Sequence, residues 1–171
     1  MTPVAVITGA SAGIGAELAR VFARHGHALV LVARRLERLE ALAAEIAATG
    51  APTPVVLALD LAEPGAAARI RQALDSHGLE AQYIVNNAGF GLAGRVTALE
   101  RAELLGMVDL NIRALTDLSL IFLGSLARTR GGILNVGSVA GFVPGPSSAI
   151  YYASKAYVVS FSEALHYELR A

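Results

Sequence analysis

Cysteine is missing from all 171 residues, which excludes disulfides, thiolate metal sites and a cysteine nucleophile and leaves the redox compartment open. Charge is scarce as well. Charged residues make up 16% of the chain, against 54% hydrophobic, so much of the surface must be covered by the chain itself or by other protein. No net sign remains, because fourteen basic residues balance fourteen acidic ones, and no global field favours nucleic acid or an anionic membrane. The four histidines are scattered without ligand spacing, so no metal is expected. The chain opens Met-Thr-Pro and runs straight into an apolar strand with no basic region or signal-type apolar core, which predicts a cytoplasmic protein. No apolar run reaches bilayer length. The richest, residues 114–127, is interrupted by Asp117 and repeats Leu115, Leu118, Ile121 and Phe122 at helical spacing, as a buried helix does.

What is present is an alternation. Short β-branched runs at residues 4–8, 28–33, 54–59, 83–86 and 133–136 are nearly continuous in apolar residues, as strands covered on both faces should be. Between them lie alanine- and leucine-rich segments at 13–25, 36–48, 65–76 and about 100–128, with a last helix from about 149 to 170. The pattern predicts strand–helix–strand units in one doubly wound parallel α/β sheet of Rossmann type, with three layers, α/β/α, in a single domain over residues 1–171. Leu36, Leu39, Leu42, Ala43 and Ile46 form one stripe of the second helix, which Gly50 and Pro52 end. Proline and glycine make residues 141–148 a loop that holds a site.

Two groups of residues carry chemistry. Gly9, Gly13 and Gly15 fall between the first strand and first helix, where a turn without Cβ atoms lets a phosphate approach backbone amides and the positive end of a helix dipole. A close-packed turn is the plainer alternative. The second strand ends in Val-Ala-Arg-Arg, about where dinucleotide-binding folds place an acid on the adenosine ribose. Arg34 and Arg35 would instead grip a 2′-phosphate, which favours NADP over NAD, although a charged helix start reads the same way. Asp60, after the third strand, is placed to accept from the adenine amino group or to cap a turn.

Tyr151 and Lys155 are four residues apart, thirteen after Ser138. On a helix that spacing returns both side chains to one face, where an ammonium and an oxidised nicotinamide favour the phenolate and make Tyr151 a usable acid–base. Ser138 could hold the substrate oxygen against the phenol. Tyr152 is the poorer partner, since four positions on it meets Ala156. Asn111, inside the long helix, needs its amide paired and could hold a water that links Lys155 to solvent.

In these motifs the chain resembles the short-chain dehydrogenase/reductase family, in the form with a Thr-Gly-x-x-x-Gly-x-Gly turn. Thr8 to Gly15, with Ser11 and Ile14 inside the turn, Asp60-Leu61 and Asn86-Asn87-Ala88-Gly89 match in order, and Asn111, Ser138, Tyr151 and Lys155 match the catalytic four. The resemblance implies that Ser138 positions the carbonyl or alcohol, Tyr151 exchanges the proton, Lys155 binds nicotinamide ribose, and Asn111 supports a proton relay. It also implies that Asn86, Ala88 and Gly89 line the cofactor channel. Members of the family continue past the Tyr–Lys helix into two more strands and a substrate lid, so a fragment lacking the last strands of the fold is expected, with the fifth strand an uncovered edge.

The expected activity is NADP-dependent transfer of hydride between nicotinamide and a carbonyl or secondary alcohol on a small molecule. A catalytically silent dinucleotide-binding fragment or subunit is the alternative. A sugar-nucleotide epimerase shares Tyr-x-x-x-Lys but differs in glycine spacing. Apolar residues around much of the long helix and the final helix predict a homodimer or homotetramer through those helices. Gly91 to Arg95 and Phe142 to Pro146 are the candidate substrate walls.

Overall fold

The computed structural model describes residues 1–169. Five strands, β1 (Thr2–Thr8), β2 (Ala28–Ala33), β3 (Val55–Ala58), β4 (Leu79–Asn86) and β5 (Gly132–Asn135), form one sheet in the order β3-β2-β1-β4-β5, and every pair is parallel. The chain winds outward from β1 to β3, then returns to the other side of β1 for β4 and β5. This reversal opens a crevice at the carboxyl ends of β1 and β4, where doubly wound sheets bind ligands.

Strand alternation sorts the core into two layers. Ala5, Ile7, Leu29, Leu31 and Val85 pack under α1 (Gly13–Arg24) and α2 (Leu36–Ala48). Val4, Val6, Val30 and Ile84 pack under α3 (Ala66–Ser76) and the helices that follow β4. The stripe expected on α2 is the one buried: Leu39, Leu42, Ala43 and Ile46. Leu134 of β5 is paired in register beside Val85 and remains 43% exposed, which leaves β5 a half-covered edge.

The boundaries differ from the sequence expectation where tertiary pairing decides them. β1 begins at Thr2 and β4 at Leu79 because these ends pair with each other, with the Thr2 amide donating to Gly78 O at 3.0 Å. The long helix expected over about 100–128 is broken into α4 (Arg101–Val108), a π-helical stretch (Asp109–Ala114), α5 (Leu115–Ile121) and α6 (Leu123–Thr129), with a 50° bend before α6. Phe122 at the break is buried in the core, and Ser125 and Thr129 donate to Ala81 O at 3.0 and 3.2 Å. Those contacts turn α6 along the sheet. A 3-10 turn (Val139–Phe142) occupies the start of the expected 141–148 loop, and α7 (Ala149–Glu168) follows it. The expected end of that last helix at residue 170 lies outside the described residues. Among the described residues no single helix is long and apolar enough to cross a membrane.

Candidate active site

Glycine at the first turn is required by geometry. Gly9 and Gly13 have φ of +65° and +56°, a region that strains other residues. Gly15 has an ordinary φ, but a Cβ there would collide with the Gly9 carbonyl and the Asn87 side-chain nitrogen. Thr8, buried at the end of β1, fixes this turn against β4: its hydroxyl donates to Val85 O and accepts from the Asn87 and Ala88 amides, all at 3.0 Å. Asn87 Nδ2 donates back to Thr8 O at 2.9 Å. The result is a backbone-lined cradle at the mouth of the crevice, open on the side where a phosphate would sit.

The crevice has a volume of about 930 Å³ and runs from Arg34 and Arg35 to Tyr151 and Lys155. At the first end, Arg35 donates from Nη2 and Nε to Ser11 Oγ at 2.9 and 3.3 Å, which draws its guanidinium over the glycine turn. Arg34 projects into solvent with Nη1 3.9 Å from Asp60 Oδ2. Asp60 Oδ1 accepts from the Ala62 amide at 2.9 Å, so Asp60 closes a turn and still faces the crevice with its second oxygen. Two cations and a serine hydroxyl without a carboxylate at the end of β2 suit a phosphate ester on the ribose, where a carboxylate would repel it.

At the other end, α7 presents Tyr151 and Lys155 on one face, with Lys155 Nζ 5.9 Å from the Tyr151 ring centroid. Lys155 Nζ donates to Val136 O at 2.7 Å, and burial pushes its pKa below the usual lysine value. Ser138 caps the 3-10 turn: its Oγ accepts from the Ala140 amide at 3.1 Å, which leaves the hydroxyl hydrogen for a substrate oxygen. Gly91 lies against the Tyr151 ring so closely that a Cβ would overlap it, and Gly141 lies equally close to the Lys155 carbonyl. The loops after β4 and β5 are therefore packed onto α7 by residues without side chains.

Gly9, Ser11, Ile14, Arg34, Arg35, Asp60, Leu61, Ala88, Gly89, Ser138, Tyr151 and Lys155 all line this one crevice. Four expected site residues do not. Gly13 and Gly15 act through the turn. Asn86 is buried, its Nδ2 donating to Ser119 Oγ at 3.1 Å and Asn135 Oδ1 at 2.9 Å; it is Asn87 that lines the crevice. Asn86 ends β4 with its side chain turned into the interior, and Asn87 is the first residue beyond the strand. Asn111 is also buried: Oδ1 accepts from the Phe90 amide at 3.1 Å, and Nδ2 donates to Phe90 O at 2.9 Å and Ser154 Oγ at 3.1 Å. Both of its amide hydrogens are thus committed to the loop after β4 and to α7.

The motif reading does not single out Thr8, Asn87 or Ser154 as separate contributors. Ser154 is fully buried and donates to Tyr151 O at 2.7 Å. A serine between Tyr151 and Lys155 on the inward face of α7 was its only sequence signal.

The family model described as short chain dehydrogenase matches residues 3–171. Over 99% of its length the chain is 38% identical to a sulfoacetaldehyde reductase of Chromohalobacter salexigens, and over 98% it is 33% identical to the human very-long-chain 3-oxoacyl-CoA reductase. It spans 67% and 54% of those two proteins. Among solved structures, a short-chain dehydrogenase from Sphingobium yanoikuyae in complex with NADPH matches with a TM-score of 0.88 at 38% identity, covering 98% of this chain and 66% of that one. A bulky-bulky ketone specific alcohol dehydrogenase from Comamonas testosteroni matches with a TM-score of 0.89 at 37% identity, covering 99% and 68%. With fold, motif order and these matches in agreement, the chain belongs to the short-chain dehydrogenase family.

Proposed function

We propose that this chain carries the nucleotide-binding and proton-transfer parts of an NADP-dependent oxidoreductase that interconverts a carbonyl and an alcohol on a small molecule. The carrying observation is that Ser138, Tyr151 and Lys155 line the same crevice as the glycine turn, Arg34 and Arg35. NADPH, when bound, supplies the hydride that adds to the carbonyl carbon. Ser138 donates a hydrogen bond to the carbonyl oxygen and orients it. Tyr151 gives its phenolic proton to that oxygen as the alcohol forms, and the ammonium of Lys155 stabilises the phenolate left behind until solvent returns a proton. In the reverse direction the phenolate takes the alcohol proton. Arg34, Arg35 and Ser11 would hold the 2′-phosphate, and the amides of the glycine turn the pyrophosphate.

The reading is tested by Tyr151→Phe. Turnover of NADPH with any carbonyl should fall by about 10³-fold or more, while NADPH binding followed by cofactor fluorescence stays within about twofold. A Phe variant that turns over normally would remove Tyr151 from the proton transfer.

We further propose that the chain forms a homodimer or homotetramer through the long helical segment from α4 to α6 and through α7. Leu105 on α4 and Leu120 on α5 are 44% and 51% exposed, which supports an apolar helical face that a second copy would cover.

A further inference from the structure

We propose that Arg113 is a positioning residue for the nucleotide: from the π-helical stretch it holds the turn after β3, which walls the adenosine end of the crevice. The inference rests on the proposed NADP-dependent reading and adds to it a residue behind that wall.

The sheet gives this wall little support. β3 is an edge strand of four residues that ends at Ala58, and beyond it the Leu59 amide still pairs with Ala33 O at 2.9 Å. Asp60 and Leu61, which line the crevice, therefore stand on an irregular turn that leads into α3. Inside the turn Asp60 Oδ1 accepts from the Ala62 amide at 2.9 Å, and Asp60 O accepts from the Glu63 amide at 3.3 Å. Both bonds are local, so they fix the shape of the turn and not its place. Leu61 anchors its middle in the core. Its far side is anchored by Arg113, whose Nη2 donates to Ala62 O across 51 positions of sequence.

Arg113 is itself held in aim. Its Nε donates to Asp109 Oδ1 at 3.0 Å, one turn back in the same stretch. At a surface such a pair contributes little alone, but here it steadies a planar fork whose other prong takes a backbone carbonyl. The same stretch serves the crevice in two further ways. Leu110 lines it, and Asn111 ties the loop after β4 to α7. Arg113 comes two positions later, roughly halfway round the axis, and ties the turn after β3. One π-helical turn thus fixes two walls of the crevice relative to each other. Releasing Arg113 would let the Asp60–Leu61 wall shift, and a nucleotide would then have to order it on binding.

Binding of adenosine 2′,5′-bisphosphate and of NADPH to the wild type and to Arg113→Met, followed by calorimetry and cofactor fluorescence, tests this. The Arg113 side chain is 40% exposed, so methionine fits in its place. Both ligands should bind about tenfold more weakly to the variant, and the KM for NADPH should rise by a similar factor while kcat stays within about twofold. In an Asp60→Ala background, where the turn has already lost its own carboxylate, the same substitution should cost less than about threefold. Unchanged affinity for the bisphosphate, a loss confined to kcat, or a loss of about tenfold beside Asp60→Ala overturns the inference. If Arg113→Met does not fold, Asp109→Asn carries the test: bisphosphate binding about threefold weaker sustains the inference, and unchanged binding ends it. The two readings separate. A wild type that binds neither ligand ends the nucleotide reading and this inference with it. One that binds both and turns over no carbonyl removes the reductase alone, with Arg113 still judged by the bisphosphate; one that turns over with Arg113→Met equal to it removes Arg113 alone.

Discussion

Burial of Lys155 has a cost that pH exposes. Its pKa in the folded chain lies below the ordinary 10.5 because desolvation disfavours the ammonium, while the unfolded chain keeps the ordinary value. Between the two values the unfolded chain binds more protons, so this group's contribution to stability rises with pH across that window. Below the window the cost is present in full. Stability of the wild type relative to Lys155→Met should therefore climb as pH is raised toward 10.5 and level off above it; chemical denaturation of both proteins across the alkaline range measures this, and a constant difference would contradict it. The proposed grip of Arg34 and Arg35 on a 2′-phosphate belongs to the same scale, through charge-assisted bonds. Replacing both by alanine should weaken NADPH binding by about 10–100-fold and NADH by less than about threefold, and equal losses would move the phosphate elsewhere. Tyr151 and Lys155 were legible in sequence because a helix returns to the same face every fourth residue. The roles of Asn86 and Asn87 were not, since which of two adjacent asparagines faces the crevice depends on the distant partners each finds where β4 ends.

Among the elements, the segment between β4 and β5 departs most from its sequence pattern. Its apolar spacing describes one helix, yet the chain passes through a π-helical stretch at Asp109–Ala114 and bends by 50° before α6. The π stretch carries Asn111, whose amide joins Phe90 in the loop after β4 to Ser154 in α7. Ser154 in turn donates to the carbonyl of Tyr151. This chain of bonds holds three elements around the phenol without touching a substrate. Ser154→Ala leaves one Asn111 hydrogen unpaired in the interior, so the variant should lose about 1–3 kcal/mol in denaturant unfolding. It should also lower kcat with little change in the KM for NADPH, because the damage is at Tyr151 and not at the phosphate site. A variant with unchanged kcat would make Ser154 a packing residue only.

For the whole molecule, the sheet order creates the crevice and the helices set the remaining surface. Leu120 on α5 is half exposed, and Leu120→Glu would place a charge in the proposed contact between copies. Sedimentation should show that the variant shifts toward the monomer by about tenfold or more in dissociation constant, while NADPH binding persists; an unchanged distribution would exclude this face. The sequence by itself determined the alternation of strands and helices, the glycine turn, the Arg34–Arg35 pair and the Tyr151–Lys155 face, because each depends on local periodicity or on a backbone conformation only glycine accepts. Tertiary structure alone decided that Thr8 and Asn87 fasten the turn to β4, that Asn86 looks inward, and that Asn111 and Ser154 clamp α7 to the loop after β4. Those bonds join residues far apart in the chain, and no local spacing encodes which partner a buried polar group will find.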